Sequence, residues 1–206
     1  GERIRAKVWR NEANCSHADL VEILEPSPDR IEPHCRHFAT CGGCQYQHLP
    51  YEKQLEWKTR QVRELLLHMV GIEEEVNPTI PSPKQWGYRS KITPHFQRPK
   101  PGEDFPIGFL EFNRRTRLVD VYNCPIAMDE INEALQPIRD DVKRRAAEYK
   151  KGATLLLRAT EDRVETDHRA PVSEKVGDLK FNFLAGDFFQ NNPFILDSFT
   201  GHAAEQ

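Results

Sequence analysis

"CRHFATCGGCQYQH", residues 35–48, crowds Cys35, Cys41 and Cys44 into a short run of a chain that has five cysteines in all. Three thiols in one glycine-containing loop call for a common cause, and thiolates hold zinc or an iron–sulfur cluster. Gly42 and Gly43 let the backbone approach closely and aim N–H groups at the bound centre. A tetrahedral set needs a fourth ligand, and the next cysteine, Cys124, lies far down the chain and is followed by Pro125. Zinc knuckles usually come as two C-x2-4-C pairs. One such pair, a singleton beside it and a remote fourth cysteine before a proline fit iron–sulfur ligation better. His34, His37 and His48 are close enough in sequence to replace a thiolate, so zinc stays open. Cys15 reads as a plain thiol.

Outward from this loop, composition narrows the class. The chain has 206 residues, 38% apolar and 30% charged, which fits a globular protein of one to two domains. No run approaches the roughly 18 apolar residues of a membrane span, and no signal-peptide pattern opens the chain. A cytoplasmic location and no membrane partner are therefore expected. An odd number of cysteines in a chain of this length favours a reducing compartment over a disulfide framework. The net charge is −3, yet Lys84–Arg117 carries eight Lys or Arg against Glu103, Asp104 and Glu111. A local basic surplus of that kind can meet phosphate while the whole remains acidic. The start at Gly1, inside a strand pattern, and the stop at Gln206 read as a fragment of a longer protein.

The periodicity predicts an α+β chain. Residues 3–9 and 18–24 alternate as a pair of strands, and the proline-rich 25–33 is a linker. Leu55, Val62, Leu65, Leu66 and Met69 recur at helical spacing over 51–70, with Gly71 as the stop. Residues 77–83 form a second proline linker. Strands are predicted over 87–97, 107–113, 116–124, 153–160 and 179–186, and a helix over 128–149 that Pro137 kinks or reopens.

In this order, "C-x5-C-G-G-C-x2-Q-H", "GYRSK", a late "C-P-I" and "DFFQNN" resemble the RNA 5-methyluridine methyltransferase family, S-adenosylmethionine-dependent enzymes that methylate C5 of uridine in ribosomal or transfer RNA. The likeness runs from Gly1 to about Pro193, and the cysteine motif is its specific part. It implies a 4Fe–4S cluster on Cys35, Cys41, Cys44 and Cys124. It also implies residues 1–31 as the C-terminal part of an OB-like TRAM β-barrel, 32–50 as the cluster loop, and 51–76 as a helix that packs on the methyltransferase domain. The central mixed α/β domain would be 82–184, and 185–206 the first residues of a Rossmann-like methyltransferase domain.

Uracil C5 is a weak nucleophile, so the family adds a cysteine thiolate to C6, transfers the methyl group and then removes the C5 proton with a carboxylate. The resemblance puts both groups in the C-terminal domain, so no catalytic residue is assigned here and the isolated chain is expected to be inactive. "FFQNN" matches the family's Phe-x-Gln-x-Asn, which implies that Phe188, Gln190 and Asn192 touch S-adenosylmethionine. For structured RNA, ribosomal or transfer, the candidate contacts are Arg89, Lys91, Arg114, Arg115 and Arg117, with Tyr88 or Phe96 as stacking surfaces. His68 and His95 read as structural. No DNA partner is expected, and a monomer is. The alternative is a non-enzymatic RNA-binding module with a structural four-cysteine zinc or iron–sulfur site.

Overall fold

The computed structural model describes residues 1–13, 15–100 and 102–205, the side chain of Arg115 excepted. The chain divides into two units, Gly1–Pro33 with Tyr46–Thr79 and His34–Gln45 with Ile80–Gln206. Among the described residues no helix is long and apolar enough to cross a membrane.

The first unit holds an antiparallel hairpin, β1 (Arg3–Asn11) and β2 (Ser16–Glu25), and a helix, α1 (Tyr51–Val70). Alternation of basic and apolar residues in β1 sets Arg3 opposite Glu25 and Arg5 opposite Glu22. These cross-strand charges are exposed and fix register more than they stabilise. Ile4, Val8, Leu20 and Val21 also remain exposed. Behind β2 the linker is tied back, because Arg30 Nη2 donates to Glu2 Oε2 at 2.9 Å and the Ser27 N–H donates to Glu2 Oε1 at 3.2 Å. α1 ends as its sequence predicts, at Gly71 in the left-handed conformation (φ 69°), whose N–H reaches the Leu67 carbonyl. The segment after it folds back, with Thr59 Oγ1 2.8 Å from Thr79 Oγ1.

In the second unit a four-stranded antiparallel sheet runs β6-β5-β4-β7 and a three-stranded one β3-β8-β9. Their strands are β3 (Lys91–Ile92), β4 (His95–Phe96), β5 (Gly108–Glu111), β6 (Arg114–Asp120), β7 (Ala153–Thr154), β8 (Leu157–Ala159) and β9 (Val164–Glu165). A separate hairpin joins β10 (Pro171–Val176) to β11 (Leu179–Leu184). Two predicted strands are broken in the structure. Residues 87–97 become β3 and β4, and 153–160 become β7 and β8. The cause is Pro94, which has no N–H for a ladder and whose carbonyl instead takes the Leu155 N–H at 2.8 Å. Both partners therefore change sheets at the same place.

α2 (Asp129–Arg144) packs on β8 and β9 and runs through Pro137 as one helix, with a short 3-10 turn at Ala146–Glu148 after it. Ile131 and Leu135 join Ile92, Ala127, Leu157 and Ala159 in one core cluster, and Val142 joins Phe96 and Ile107 in another. α3 (Leu196–Glu205) follows a 3-10 turn at Pro193–Ile195.

Candidate metal centre and its basic surroundings

The cysteine loop is a chain of tight turns laced to the β5–β6 hairpin. Phe38 N–H bonds the Cys35 carbonyl at 2.9 Å and Cys41 N–H the His37 carbonyl at 2.8 Å, with Ala39 between them at φ 67°. Cys41 then bridges to Glu111, the Gly42 N–H meets the Leu110 carbonyl at 2.9 Å, and the Phe112 N–H meets the Thr40 carbonyl at 2.7 Å. Gly42 eases this approach, since a Cβ there would stand 3.1 Å from the Leu110 oxygen, a tight contact. The Gly43 N–H is a donor to the Cys41 sulfur.

Cys124 sits in the turn between β6 and α2. Its N–H donates to Asn132 Oδ1 at 2.8 Å, and Asn132 Nδ2 returns a bond to its carbonyl at 3.1 Å. Its sulfur accepts the N–H groups of Ile126 and Ala127. Pro125 and Ile126 are held in turn, their carbonyls taking the N–H groups of Gly87 and Arg89.

Cys35 and Cys44 lie near enough to act on both Cys41 and Cys124. Burial pushes the Cys124 thiol up to about 11; the Ile126 and Ala127 amides oppose this, and the nearby Cys44 and Cys35 add to it. Cys41 is raised by burial, opposed by the Gly43 amide, and feels the same two neighbours. Backbone donors on sulfur favour the thiolate, whereas burial without a cation disfavours it. Partly buried sulfurs that carry amide donors but crowd one another are the chemistry a bound cationic centre relieves, so the donor set fits one. Among the described residues these thiols form no group of three within 4.8 Å of one another, whereas four thiolates at about 2.3 Å from one zinc stand about 3.8 Å apart. Of the histidines weighed as substitutes, His34 packs on Trp86 at 4.7 Å and His37 accepts from Arg36 at 3.2 Å.

The basic residues of "GYRSK" are only partly free. Arg89 Nε donates to the Lys91 carbonyl at 3.1 Å, and Lys91 Nζ to the Asp187 carbonyl at 2.9 Å. Burial lowers Lys91, with Arg158 and Arg89 adding to the effect. Arg158, 2% exposed, donates to the Ala185 and Asp187 carbonyls, each at 2.8 Å, and lies over the Phe183 ring. Sequence reading missed it, although an arginine inside "LLLRAT" is a charge in an apolar run. Arg114 and Arg117 are exposed and share Glu111 at 3.5 and 3.7 Å; the Arg115 side chain lies outside the described residues. Phe96 is corrected as a stacking surface: it is 3% exposed and packs edge-on against Tyr149. His95 bonds Thr154 Oγ1 at 2.8 Å, a structural role.

In "DFFQNN", Phe188 is 80% exposed and Gln190 is exposed, while Phe189 stacks on Phe183 at 4.6 Å. Asn192 caps the following turn through the Phe194 N–H and donates to Ser82 Oγ at 2.9 Å. The Asn191 carbonyl takes the Ser90 N–H, while its Oδ1 is buried with no hydrogen-bond partner.

No family model matches the chain. It is 45% identical over 219 aligned residues to a tRNA (uracil(54)-C(5))-methyltransferase of Schizosaccharomyces pombe, covering 100% of this chain and 41% of that protein. The enzyme of the same name from Saccharomyces cerevisiae is 28% identical, with 100% and 42% covered. A 23S rRNA (uracil(1939)-C(5))-methyltransferase of Pectobacterium atrosepticum is 32% identical, with 77% and 35% covered. The fold matches the crystal structure of Pyrococcus abyssi tRNA (uracil-54, C5)-methyltransferase in complex with S-adenosyl-L-homocysteine at a TM-score of 0.69 and 18% identity, covering 100% of this chain and 58% of that one. The chain thus spans about two fifths of the length of the curated relatives that align with all of it, and over that part it is similar to RNA uracil-C5 methyltransferases.

Proposed function

We propose that this chain is the cluster-bearing and RNA-facing part of an S-adenosylmethionine-dependent RNA (uracil-C5)-methyltransferase that forms 5-methyluridine in tRNA or rRNA. The observation that supports it is that Cys35 and Cys44 lie near enough to both Cys41 and Cys124 to raise their thiols, with amide donors on Cys41 and Cys124. Together they would hold a 4Fe–4S cluster, and the wide thiol spacing supports this over a single zinc. Methyl transfer needs no electron, so the cluster is a cross-link, closing a loop of about 90 residues and coupling its binding to folding.

S-adenosylmethionine supplies the methyl group. In this reading the Gln190 amide binds it, Phe188 flanks it, and Asn192 shapes the turn through its bonds to Phe194 and Ser82. Exposed Arg114 and Arg117, with Arg115, meet RNA phosphates, while Lys91 holds the 187 turn, Arg89 braces Lys91, and both lend the RNA face positive charge. Residues 1–31 would belong to a TRAM barrel, whose remaining strands would cover the apolar side chains that the β1–β2 hairpin leaves exposed.

Anaerobic purification of the chain, with iron, sulfide and zinc analysis and an absorbance scan near 400 nm, tests the central claim. About four iron and four sulfide per chain are expected. Cys124→Ser should lose most of both, and Cys15→Ser neither. One zinc per chain without iron, or full iron in Cys124→Ser, overturns it.

A further inference from the structure

At the tip of the β1–β2 hairpin, outside the four-cysteine centre, three unlike metal-ligating side chains meet. Glu12 and Cys15 are the first and last residues of the loop, which the Glu12 N–H closes onto the Cys15 carbonyl at 2.8 Å. His17 is two residues further on, within β2, and its ring lies beside the Cys15 sulfur. Glu12 Oε2 is 3.8 Å from Cys15 Sγ, His17 Nε2 is 3.9 Å from that sulfur, and the same nitrogen is 3.3 Å from Glu12 Oε1. A tetrahedral zinc, about 2.3 Å from sulfur and about 2.0 Å from nitrogen and oxygen, sets ligand edges of about 3.3–3.6 Å. Shifts of a few tenths of an ångström at exposed side chains would complete three corners.

We propose that Glu12, Cys15 and His17 form a second metal site, selective for Zn²⁺ and separate from the four-cysteine centre. A thiolate, an imidazole and one carboxylate favour a borderline-soft divalent ion over Mg²⁺ or Ca²⁺, which prefer all-oxygen sets. On binding, the Cys15 thiol gives its proton to solvent and the sulfur takes the metal. The two anionic ligands then balance the ion's charge, and the open fourth corner takes water. The surroundings hold the ligands in place. Trp9 packs on the His17 ring at 5.2 Å, and Ser16 Oγ donates to Asn11 Oδ1 at 2.8 Å across the base of the loop. Arg10, 2.9 Å from Glu12 Oε1, is the competitor, but that ion pair is exposed and cheap to give up. A filled site ties both ends of the hairpin loop to one ion.

The test reads Cys15 alone. Trypsin cleavage after Arg10 and Arg30 releases residues 11–30, in which Cys15 is the one cysteine. The full chain is labelled with iodoacetamide in chelator-buffered solution, with and without micromolar free Zn²⁺, and that peptide is followed by mass spectrometry. Labelling of Cys15 should slow about tenfold or more with zinc, and by less than about twofold in His17→Ala and Glu12→Gln. Both variants lie on an exposed hairpin tip, and the labelling rates of the other four cysteines without zinc report whether the fold is intact. Unchanged Cys15 labelling with zinc, or equal protection in both variants, overturns the site.

Discussion

At the scale of single residues, the two buried arginines explain how the sheets are clamped. Arg139 is 0% exposed; its Nη1 reaches the carbonyls of Ile107 and Val121, its Nη2 is 2.8 Å from Asp120 Oδ1, and its guanidinium lies 4.0 Å from the Tyr122 ring centre. Burial alone would raise the Asp120 carboxyl, but the Ile107 N–H, Arg139 and the Tyr122 hydroxyl together hold it below its usual range. Arg139→Met should therefore lower the unfolding free energy by about 3 kcal/mol in urea titrations, because it removes the charged partner of a partly buried carboxylate and a donor from the Val121 and Ile107 carbonyls. Adding Asp120→Asn should recover part of that loss. The sequence did carry the signal: Ile131, Leu135, Arg139 and Val142 share one helical stripe, and a charge on that stripe must find a buried partner. The cysteine motif is legible as a pattern, whereas which sulfurs lie near one another is a property of coordinates.

At the scale of elements, patterning identified strands and helices better than it located their ends. The predicted helix over 51–70 matches α1 because its apolar period and glycine stop are both local. Residues 87–97 and 153–160 were each expected as one strand, and each is split because Pro94 diverts the ladder, a non-local event. β10 escaped notice, since "PVSEKV" buries only Val172 and Val176 among polar neighbours. Close packing between β5 and β6 gives a sharper test. A Cβ on Gly108 would stand 2.0 Å from the Val119 oxygen and 2.9 Å from the Val121 nitrogen, both backbone atoms. Gly108→Ala must therefore part the strands, with an expected cost of about 3 kcal/mol. Thermal melts should show the loss, and amide exchange should speed up first along Gly108–Glu111 and Arg114–Asp120.

At the scale of the whole molecule, each unit has its own anchors. In the first, the Arg30 hydrogen bonds hold the Glu2 carboxyl down at about 2 against an ordinary 4.5; burial opposes them and the Ser27 amide assists. A carboxyl lowered in the folded state stabilises above 4.5 and loses that contribution as the pH falls toward 2. Glu2→Gln should thus be less stable than the parent near neutrality, and the gap should close between pH 4.5 and pH 2. Fluorescence-detected melting through Trp9 and Trp57, both in this unit, measures it. An equal gap at both ends of that range would show that the carboxylate charge is not the tie.

The division into units also has a consequence for synthesis. Residues 34–45 interrupt the first unit but belong with the second, so the growing chain must leave one unit, enter the other, return and leave again. When the ribosome has delivered residue 79, all the residues of the first unit have been made, yet the interrupting loop is still an unanchored lasso. Its strap, Glu111, and the remote fourth cysteine, Cys124, are not yet made. During that interval three thiols stand open to oxidation or to a stray metal. For the proposed centre, the order of synthesis would make a single late cysteine the moment of closure.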